Sequence, residues 1–323
     1  MLARDHDPSS EPALDLSRPL RPAPSPSLRP WAGTRLGSGV GEVWTAGPAS
    51  IVELADGSTL TLDALAAEAG PALVGEAGVA ALGPRFPLLA KLIDAADWLS
   101  LQVHPDDELA RRLYGPEAVG KDEVWLVLEA APDARLITGP ARTLTADQVR
   151  VMVATGTMRR DACEVRAPQP GETLNVRAGT IHAIGPGAFV YELEQPSDIT
   201  FRISDWDRPA IPGRRLHPVE AGQAVIPSLH AEVVGSGWQL DGDRLDERHF
   251  RLELVGAGRT ASRRPAGQSA EVVTAVSGAV TLVGAGFEER LTALETAVVP
   301  AAVAAYEIVV DAGAVAAVAS LPD

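Results

Sequence analysis

From Trp31 onward, the chain is a succession of short apolar segments interrupted by glycine and proline, which number 30 and 26 among its 323 residues. Such frequent interruptions favour antiparallel strands joined by tight turns over long helices. Residues 174–177 and 200–204 alternate apolar with polar side chains, as half-buried strands do. Residues 271–282 are typical of two strands that meet near Gly278. The sequence therefore predicts a mainly β protein with two all-β halves of unequal length.

Two segments carry a helical signal. Thr145 and Gln148 have the spacing of a capping box, and Leu144 and Val149 are placed to form its hydrophobic staple. An amphipathic helix is predicted to follow. A second, weaker helix is predicted over residues 60–68.

The predicted domain organisation has three parts. Residues 1–30 contain seven prolines and five serines without a hydrophobic period, so we expect a disordered or loosely attached arm. Polar candidates for chemistry cluster between Lys91 and Asp207, within residues 31–215, the predicted catalytic domain with a small helical insertion. Residues 216–323 are rich in valine and alanine and are predicted to form a structural β domain.

Charge and cysteine content exclude several classes of function. The chain has 28 Lys and Arg against 43 Asp and Glu, a formal net charge of −15. Binders of nucleic acid or anionic membranes need a basic surface, so neither partner is expected. A single cysteine, Cys163, rules out an intrachain disulfide and fits a reducing compartment. Without an apolar signal-peptide core or a run of about 18 apolar residues, we expect a soluble, cytoplasmic protein.

Residues 98–108, WLSLQVHPDDE, predict a strand with one apolar face and one face carrying Gln102 and His104. Such a strand fits the wall of a barrel with a polar interior, although a lone histidine on a strand is more often structural. In GKDEVWLVLE, residues 120–129, Glu123 opens an apolar run and Lys121 lies two residues earlier on the same side. The simpler interpretation of that pair is a surface ion pair.

In VRAGTIHAIGPG, residues 176–187, His182 lies between apolar residues and needs a hydrogen-bonding partner if it is buried. Two histidines, one glutamate and the Gln102 amide oxygen could together hold Zn²⁺. The spacing is neither that of a zinc finger nor HExxH, so by itself it is weak support. Arg202 shares a predicted strand face with Thr200 and Ser204 and would require an anion, either Asp198, Asp205 or a phosphate.

Taken together, these motifs resemble the type I mannose-6-phosphate isomerases, in particular their short bacterial branch. The resemblance extends over about residues 30–220. It rests on PLLAKLIDAADWLSLQVHPDD, GKDEVW, RAGTIHAIG, YELEQPSDITFRISDWDR and LHPVEA. It implies cupin-like, jelly-roll β-barrel halves and a zinc-dependent aldose–ketose isomerase that interconverts mannose 6-phosphate and fructose 6-phosphate.

The resemblance also implies roles for individual residues. The metal ligands would be Gln102, His104, Glu123 and His182, holding one Zn²⁺ per chain. The catalytic residues would be Arg202, Lys121, Lys91 and Asp198, and the sugar phosphate would be bound by Lys91, Lys121 and Arg202. One departure is Gly120, where longer members of the family carry a histidine.

Several alternatives remain open at this point. The general base could be Lys121, Asp198 or a metal-bound water. The activity could be that of another metal-dependent cupin isomerase of a different sugar phosphate, or the protein could be a non-catalytic sugar-phosphate-binding cupin. Residues 250–323 contain no histidine or cysteine, so the C-terminal half is expected to hold no metal.

Overall fold

The structure is a computed structural model that describes residues 14–322, except for 207, 210, 213, 243, 257–259, 264 and 266. The predicted mainly β architecture is confirmed. The strands up to residue 240 are β1 (Ser25–Leu28), β2 (Val40–Ala46), β3 (Ile51–Glu53), β4 (Thr59–Thr61), β5 (Leu89–Asp94), β6 (Leu101–Val103), β7 (Glu123–Ala130), β8 (Leu136–Pro140), β9 (Cys163–Arg166), β10 (Thr173–Val176), β11 (Ala183–Ile184), β12 (Ala188–Glu194), β13 (Phe201–Ser204), β14 (Glu232–Ser236) and β15 (Gln239–Leu240).

The later strands are β16 (Leu245–Asp246), β17 (Arg251–Gly256), β18 (Thr260–Arg263), β19 (Glu271–Ser277), β20 (Val280–Gly284), β21 (Phe287–Leu291), β22 (Thr296–Val299), β23 (Tyr306–Val310) and β24 (Val315–Ser320). The helices are α1 (Leu62–Ala69), α2 (Pro71–Leu82), α3 (Asp107–Tyr114), α4 (Ala146–Ala154) and α5 (Pro218–Ala224), with a 3₁₀ turn at Arg160–Ala162.

The large sheet is antiparallel, with the strand order β1–β2–β5–β12–β7–β10–β14–β15. Its central strands β5, β12 and most of β7 are buried on both faces. Because side chains alternate along a strand, each face carries its own set of residues. One face carries Leu92, Leu126, Tyr191 and Leu193 in a hydrophobic core. The opposite face carries Lys91, Glu123, Glu192 and Glu194, all buried.

A smaller layer covers this polar face. It consists of the pair β6–β13 and the three-stranded sheet β11–β8–β9, with an isolated bridge between Gln102 and His182. Phe201 and Ile203 of β13 are fully buried beside Leu101 and Val103 of β6. The alternation predicted for both segments is therefore confirmed, and it directs Gln102 and Arg202 toward the large sheet.

The C-terminal part consists of a five-stranded sheet, β16–β17–β24–β19–β22, and a four-stranded sheet, β18–β23–β20–β21. Strands β19, β22 and β24 of the five-stranded sheet are buried on both faces. Phe250 and Val272 join the core under the large sheet, while Val273 and Ala275 join the core under the four-stranded sheet. The predicted strands around Gly278 are confirmed as β19 and β20, although they belong to different sheets.

The capping box of α4 is confirmed. The Gln148 N–H donates to Thr145 Oγ1 at 3.3 Å, and the Thr145 N–H donates to Gln148 Oε1 at 2.8 Å. The weaker helix predicted over 60–68 is α1. The sequence analysis missed α2, α3 and α5. A start signal for α3 was present, because Asp106 caps that helix by accepting the Leu109 N–H at 2.8 Å.

The arm predicted over residues 1–30 needs correction in its described part, since residues 1–13 lie outside the described residues. Strand β1 pairs with β2, and Leu16 and Leu20 are buried. Leu20 exchanges backbone hydrogen bonds with Val298, at 2.8 and 2.9 Å. Apolar side chains between the prolines anchor this segment despite its composition.

The predicted boundary at 215/216 lies before the point where the chain leaves the large sheet. Strand β14 pairs with β10, and β15 pairs with β14, so residues 232–240 extend the first sheet. The hydrophobic core is also continuous between the large and five-stranded sheets. The division into two domains remains a prediction.

Among the described helices, no single one is long and apolar enough to cross a membrane. Only α1 and α2 taken together pass that test, and the two helices are bent by 92° relative to each other.

Candidate active site and metal centre

Three side chains that can hold a metal ion meet between the large sheet and its covering layer. His104, Glu123 and His182 are buried, and their potential ligand atoms all lie within 4.8 Å of one another. His104 Nε2 is 3.4 Å from one Glu123 oxygen, and His182 Nε2 is 3.3 Å from the other. The structure thus brings together three residues that are far apart in the sequence.

A hydrogen bond to a backbone carbonyl oxygen fixes the orientation of each imidazole. His104 Nδ1 lies 2.8 Å from the Ile199 carbonyl oxygen, and His182 Nδ1 lies 2.9 Å from the Thr180 carbonyl oxygen. A carbonyl accepts, so Nδ1 carries the proton and Nε2 presents its lone pair to the site. Burial lowers the pKa of both histidines, that of His104 well below its usual value, and Lys121 adds to the effect. Both rings are therefore neutral near pH 7, as metal binding requires.

Gln102 completes this group. Its amide nitrogen Nε2 is 3.1 Å from His182 Nε2 and 3.5 Å from His104 Nε2, and Ser100 Oγ donates to Oε1 at 3.0 Å. The two ends of an amide are nearly the same size, so rotation by 180° brings Oε1 into the Nε2 position. Ser100 Oγ can then accept from the amide, and Gln102 can serve as an oxygen ligand.

Two ammonium groups and two carboxylates form a buried network beside these residues. Lys121 Nζ lies 2.8 Å from Glu123 and 2.6 Å from Glu194, and Lys91 Nζ lies 2.5 Å from Glu194 and 3.4 Å from Glu192. Burial opposes ionisation of Glu192, yet Lys121 and Lys91 together lower its pKa to about 2. Burial raises the pKa of Glu194 well above its usual value despite the same lysines. Glu192 is therefore the ionised partner of the two ammonium groups.

The residues fit a bound divalent cation. In a tetrahedral zinc site with bonds of about 2.0–2.1 Å, ligand atoms lie about 3.4 Å apart. Four of the six separations among Gln102, His104, Glu123 and His182 are given above, measured from the Gln102 amide nitrogen and to either Glu123 oxygen, and they run from 3.1 to 3.5 Å. Two imidazole nitrogens and a carboxylate are donors that zinc prefers, and the Lys121 ammonium, 3.3 Å from His104 Nε2 and 2.8 Å from Glu123, supplies a positive charge beside them. Both the spacing and the donor chemistry match a zinc ion.

A cavity of about 230 Å³ opens above this group. The predicted residues in its wall are Lys91, Gln102, Lys121, Asp198 and Arg202. Arg202 Nε is buried without a hydrogen-bond partner among the described residues. Burial lowers the pKa of Arg202, and the positive charge of Arg214 adds to this effect. An unpaired guanidinium in a cavity wall is suited to bind an anion.

Sequence reasoning missed several residues of this site. Glu192 and Glu194 were detectable, because YELE alternates acidic with apolar residues along β12. Trp125, whose indole N–H donates to Glu123 and Glu192 at 3.1 Å each, follows Glu123 at the same two-residue period. Arg29 also lines the cavity, but it belongs to the segment that was predicted to be loosely attached.

The absence of a side chain at residue 120 has a steric cause. A Cβ on Gly120 would lie 2.6 Å from the Asp106 carbonyl carbon and 2.6 Å from the Asp107 nitrogen. Separations of this kind are too short for non-bonded atoms. The backbone around Lys121 therefore depends on glycine here, and no histidine fits in this arrangement.

Residues 36–122 match the family model of the phosphomannose isomerase type I catalytic domain. The matched segment contains Lys91, Gln102, His104 and Lys121. The chain is also 37% identical over 150 residues to the mannose-6-phosphate isomerase ManA of Bacillus subtilis (strain 168), covering 46% of this chain and 47% of that protein. The sequence match thus spans about half the length of this curated relative. The resemblance predicted from the motifs is confirmed.

Solved structures support the same fold. The mannose 6-phosphate isomerase structure from Bacillus subtilis has a TM-score of 0.75 at 24% identity, covering 93% of this chain and 99% of that one. A zinc-bound mannose 6-phosphate isomerase has a TM-score of 0.72 at 18% identity, covering 94% and 100% of the two chains. At these identities the likeness shows the fold alone, and it confirms the predicted cupin-like class.

Proposed function

We propose that this chain, with the type I catalytic-domain match described above, is a zinc-dependent isomerase of mannose 6-phosphate and fructose 6-phosphate. The observation that carries the proposal is the single cavity wall that combines a metal-binding group with the unpaired guanidinium of Arg202. The substrate is thus a small sugar phosphate, and a cytoplasmic location, supported by the buried free thiol of Cys163, is part of the proposal.

We propose Gln102, His104, Glu123 and His182 as the residues that hold one zinc ion. Bound there, zinc would supply a Lewis acid that polarises the carbonyl and hydroxyl oxygens of the open-chain sugar without any change in redox state. The ring N–H groups of both histidines stay on the backbone carbonyls behind them. This arrangement keeps the two imidazole donors in place before substrate arrives.

The reaction moves a proton from C2 to C1 and a second proton from the C2 hydroxyl to the C1 oxygen, through an enediol-type intermediate. Arg202 stabilises the negative charge that develops on the substrate oxygen as the C2 proton leaves. We assign the proton transfer to Asp198, which lies in the cavity wall. Lys121 is the weaker candidate, because its ammonium is already engaged by Glu123 and Glu194 and has no lone pair to accept a proton.

We assign the substrate phosphate to Arg29 and Arg214 in the cavity wall, each of which contacts a single carboxylate among the described residues, that of Glu42 or Asp205. Lys91 and Lys121 were predicted to share this role. Each of these lysines contacts two or more buried carboxylates, which leaves less of its charge for a phosphate. Their proposed role is to keep Glu192 ionised and to hold Glu194 in place beside the metal ligands.

A coupled assay for fructose 6-phosphate, run with metal analysis on the purified protein, tests the proposal. We expect about one zinc per chain and turnover of mannose 6-phosphate that stops on chelation and returns with zinc. Turnover only of a different aldose phosphate would favour another cupin isomerase. Binding of mannose 6-phosphate without turnover would favour a non-catalytic sugar-phosphate-binding protein.

A further inference from the structure

A histidine from the C-terminal part lies behind the candidate active site. His249 Nδ1 is 2.7 Å from an Asp122 carboxylate oxygen, and His249 Nε2 is 3.4 Å from an Asp107 carboxylate oxygen. Gln195 joins the same cluster, since its amide donates to Asp107 at 3.0 Å and its Oε1 accepts the Asp122 N–H at 2.9 Å. Both nitrogens of one ring thus face two carboxylates from different segments.

Each carboxylate of the cluster is bound to a segment that carries proposed ligands. Asp122 lies between Lys121 and Glu123, and its other oxygen accepts the Ala178 N–H at 2.7 Å, on the turn that leads to His182. Asp107 begins α3, just after His104.

The second oxygen of Asp107 accepts the Gly120 N–H at 2.8 Å. Gln195 directly follows Glu194 at the end of β12. The cluster therefore ties together the segments that bear His104, Glu123 and His182.

The position of His249 is set by the fold of the C-terminal part. It lies in the turn between β16 and β17, and the next residue, Phe250, is fully buried in the core shared with the large sheet. Two residues before His249, Glu247 accepts a hydrogen bond from the Asn175 amide of β10. The turn is thus anchored on both sides of the ring.

The charge of the ring suits this position. Burial opposes protonation, but the hydrogen bonds to Asp107 and Asp122 outweigh it and raise the pKa of His249 to about 9. The hydrogen bond from His249 is also the main cause of the lowered pKa of Asp107. An imidazolium between two carboxylates offsets a repulsion that would otherwise separate the two segments.

We propose that His249 is a positioning residue, which acts through Asp122 and Asp107 to hold the ligand-bearing segments at the spacing that metal binding requires. The inference rests on the proposed function only in taking His104, Glu123 and His182 as metal ligands. It gives the C-terminal part a role in the site although that part supplies no ligand of its own.

The test measures zinc affinity of the full-length protein by competition with a chromophoric chelator, alongside kcat and KM. We expect His249→Ala to bind zinc about 10- to 100-fold more weakly, the range typical for loss of an outer-shell partner. His249→Gln retains an N–H donor and should recover part of that affinity. The matched control is His230→Ala, since His230 is also partly buried and bonded to a backbone carbonyl, that of Pro140 at 3.0 Å.

The outcomes separate this inference from the proposed function. Weaker zinc binding by folded His249→Ala, with normal binding by His230→Ala, supports the positioning role even if the wild type isomerises no sugar phosphate. Zinc affinity and kcat within twofold of wild type would overturn it, even if the wild type is fully active. Should His249→Ala fail to fold, His249→Gln decides, because unchanged affinity in that folded variant together with unchanged kcat also overturns the proposal.

Discussion

His104 donates its Nδ1 proton to the carbonyl oxygen of Ile199 at 2.8 Å, across 95 positions of sequence. The bond leaves Nε2 as the only lone pair of the ring and directs it at Glu123. It also joins a proposed ligand to the segment that runs through Asp198 to Arg202. The metal-binding group and the cavity wall above it are therefore connected through one backbone carbonyl.

Replacing either imidazole should remove the metal. His104→Ala and His182→Ala each delete one nitrogen donor from a buried site, and the remaining donors bind Zn²⁺ much more weakly. We expect substoichiometric zinc by metal analysis and loss of isomerase activity. Circular dichroism should show that both variants are folded. Full zinc occupancy and activity in either variant would remove that histidine from the ligand set.

Arg202→Lys should affect the transition state. The change retains one positive charge but loses the planar guanidinium and most of its donors. We expect kcat and kcat/KM to fall together by about 100-fold, as for loss of an oxyanion donor. Arg142→Lys is the control, because Arg142 is exposed and paired with Glu164. A rise in KM at constant kcat would instead assign Arg202 to ground-state binding of the phosphate.

The His249 ion pairs should make stability depend on pH. The pKa of His249 is raised to about 9 in the folded protein, against about 6.5 in an unfolded chain. The stability that His249 gains from its ion pairs with Asp107 and Asp122 is thus complete below pH 6.5, and it is lost as the pH rises through 9 and the ring loses its proton. Urea unfolding at several pH values should show the wild type losing its stability advantage over His249→Ala across this range. A constant difference between the two proteins would contradict this assignment.

Gly120→Ala should disturb the site through the backbone. The new Cβ would lie 2.6 Å from backbone atoms of Asp106 and Asp107, so the chain on one side must move. We expect a loss of about 1–3 kcal/mol in the free energy of unfolding, with weaker zinc binding because Lys121 and Glu123 shift. Gly256→Ala serves as the control, since its Cβ would meet no atom of the described residues within 4 Å. Equal effects of the two substitutions would show that residue 120 is not specially constrained.

Local patterns predicted much of this molecule. The alternation around Gln102 and His104 gave the correct face of β6, and the Thr145–Gln148 pair located α4. The same alternation was present in Glu192 and Glu194, where it was not used. Local patterns could not predict which distant segments contact one another. Nothing near residue 249 indicates that its ring packs against Asp122, 127 positions earlier.

The anchored arm shows the same limit. Its prolines and serines are typical of unstructured chain, because composition reports how much apolar surface a segment can bury by itself. Leu20 buries its side chain on a surface that residues near Val298 supply. Contacts with distant residues therefore order a segment whose local composition predicts disorder.

The turn that carries Glu247, His249 and Phe250 also determines when the site can be completed during synthesis. A ribosome adds roughly 5–20 residues per second, starting from the N-terminus. The donors Gln102, His104, Glu123 and His182 are therefore translated several seconds before the turn behind them. A nascent chain halted before residue 249 holds every proposed ligand but lacks the cation that joins Asp107 to Asp122. On the proposed role of His249, firm retention of zinc would follow translation of the turn between β16 and β17.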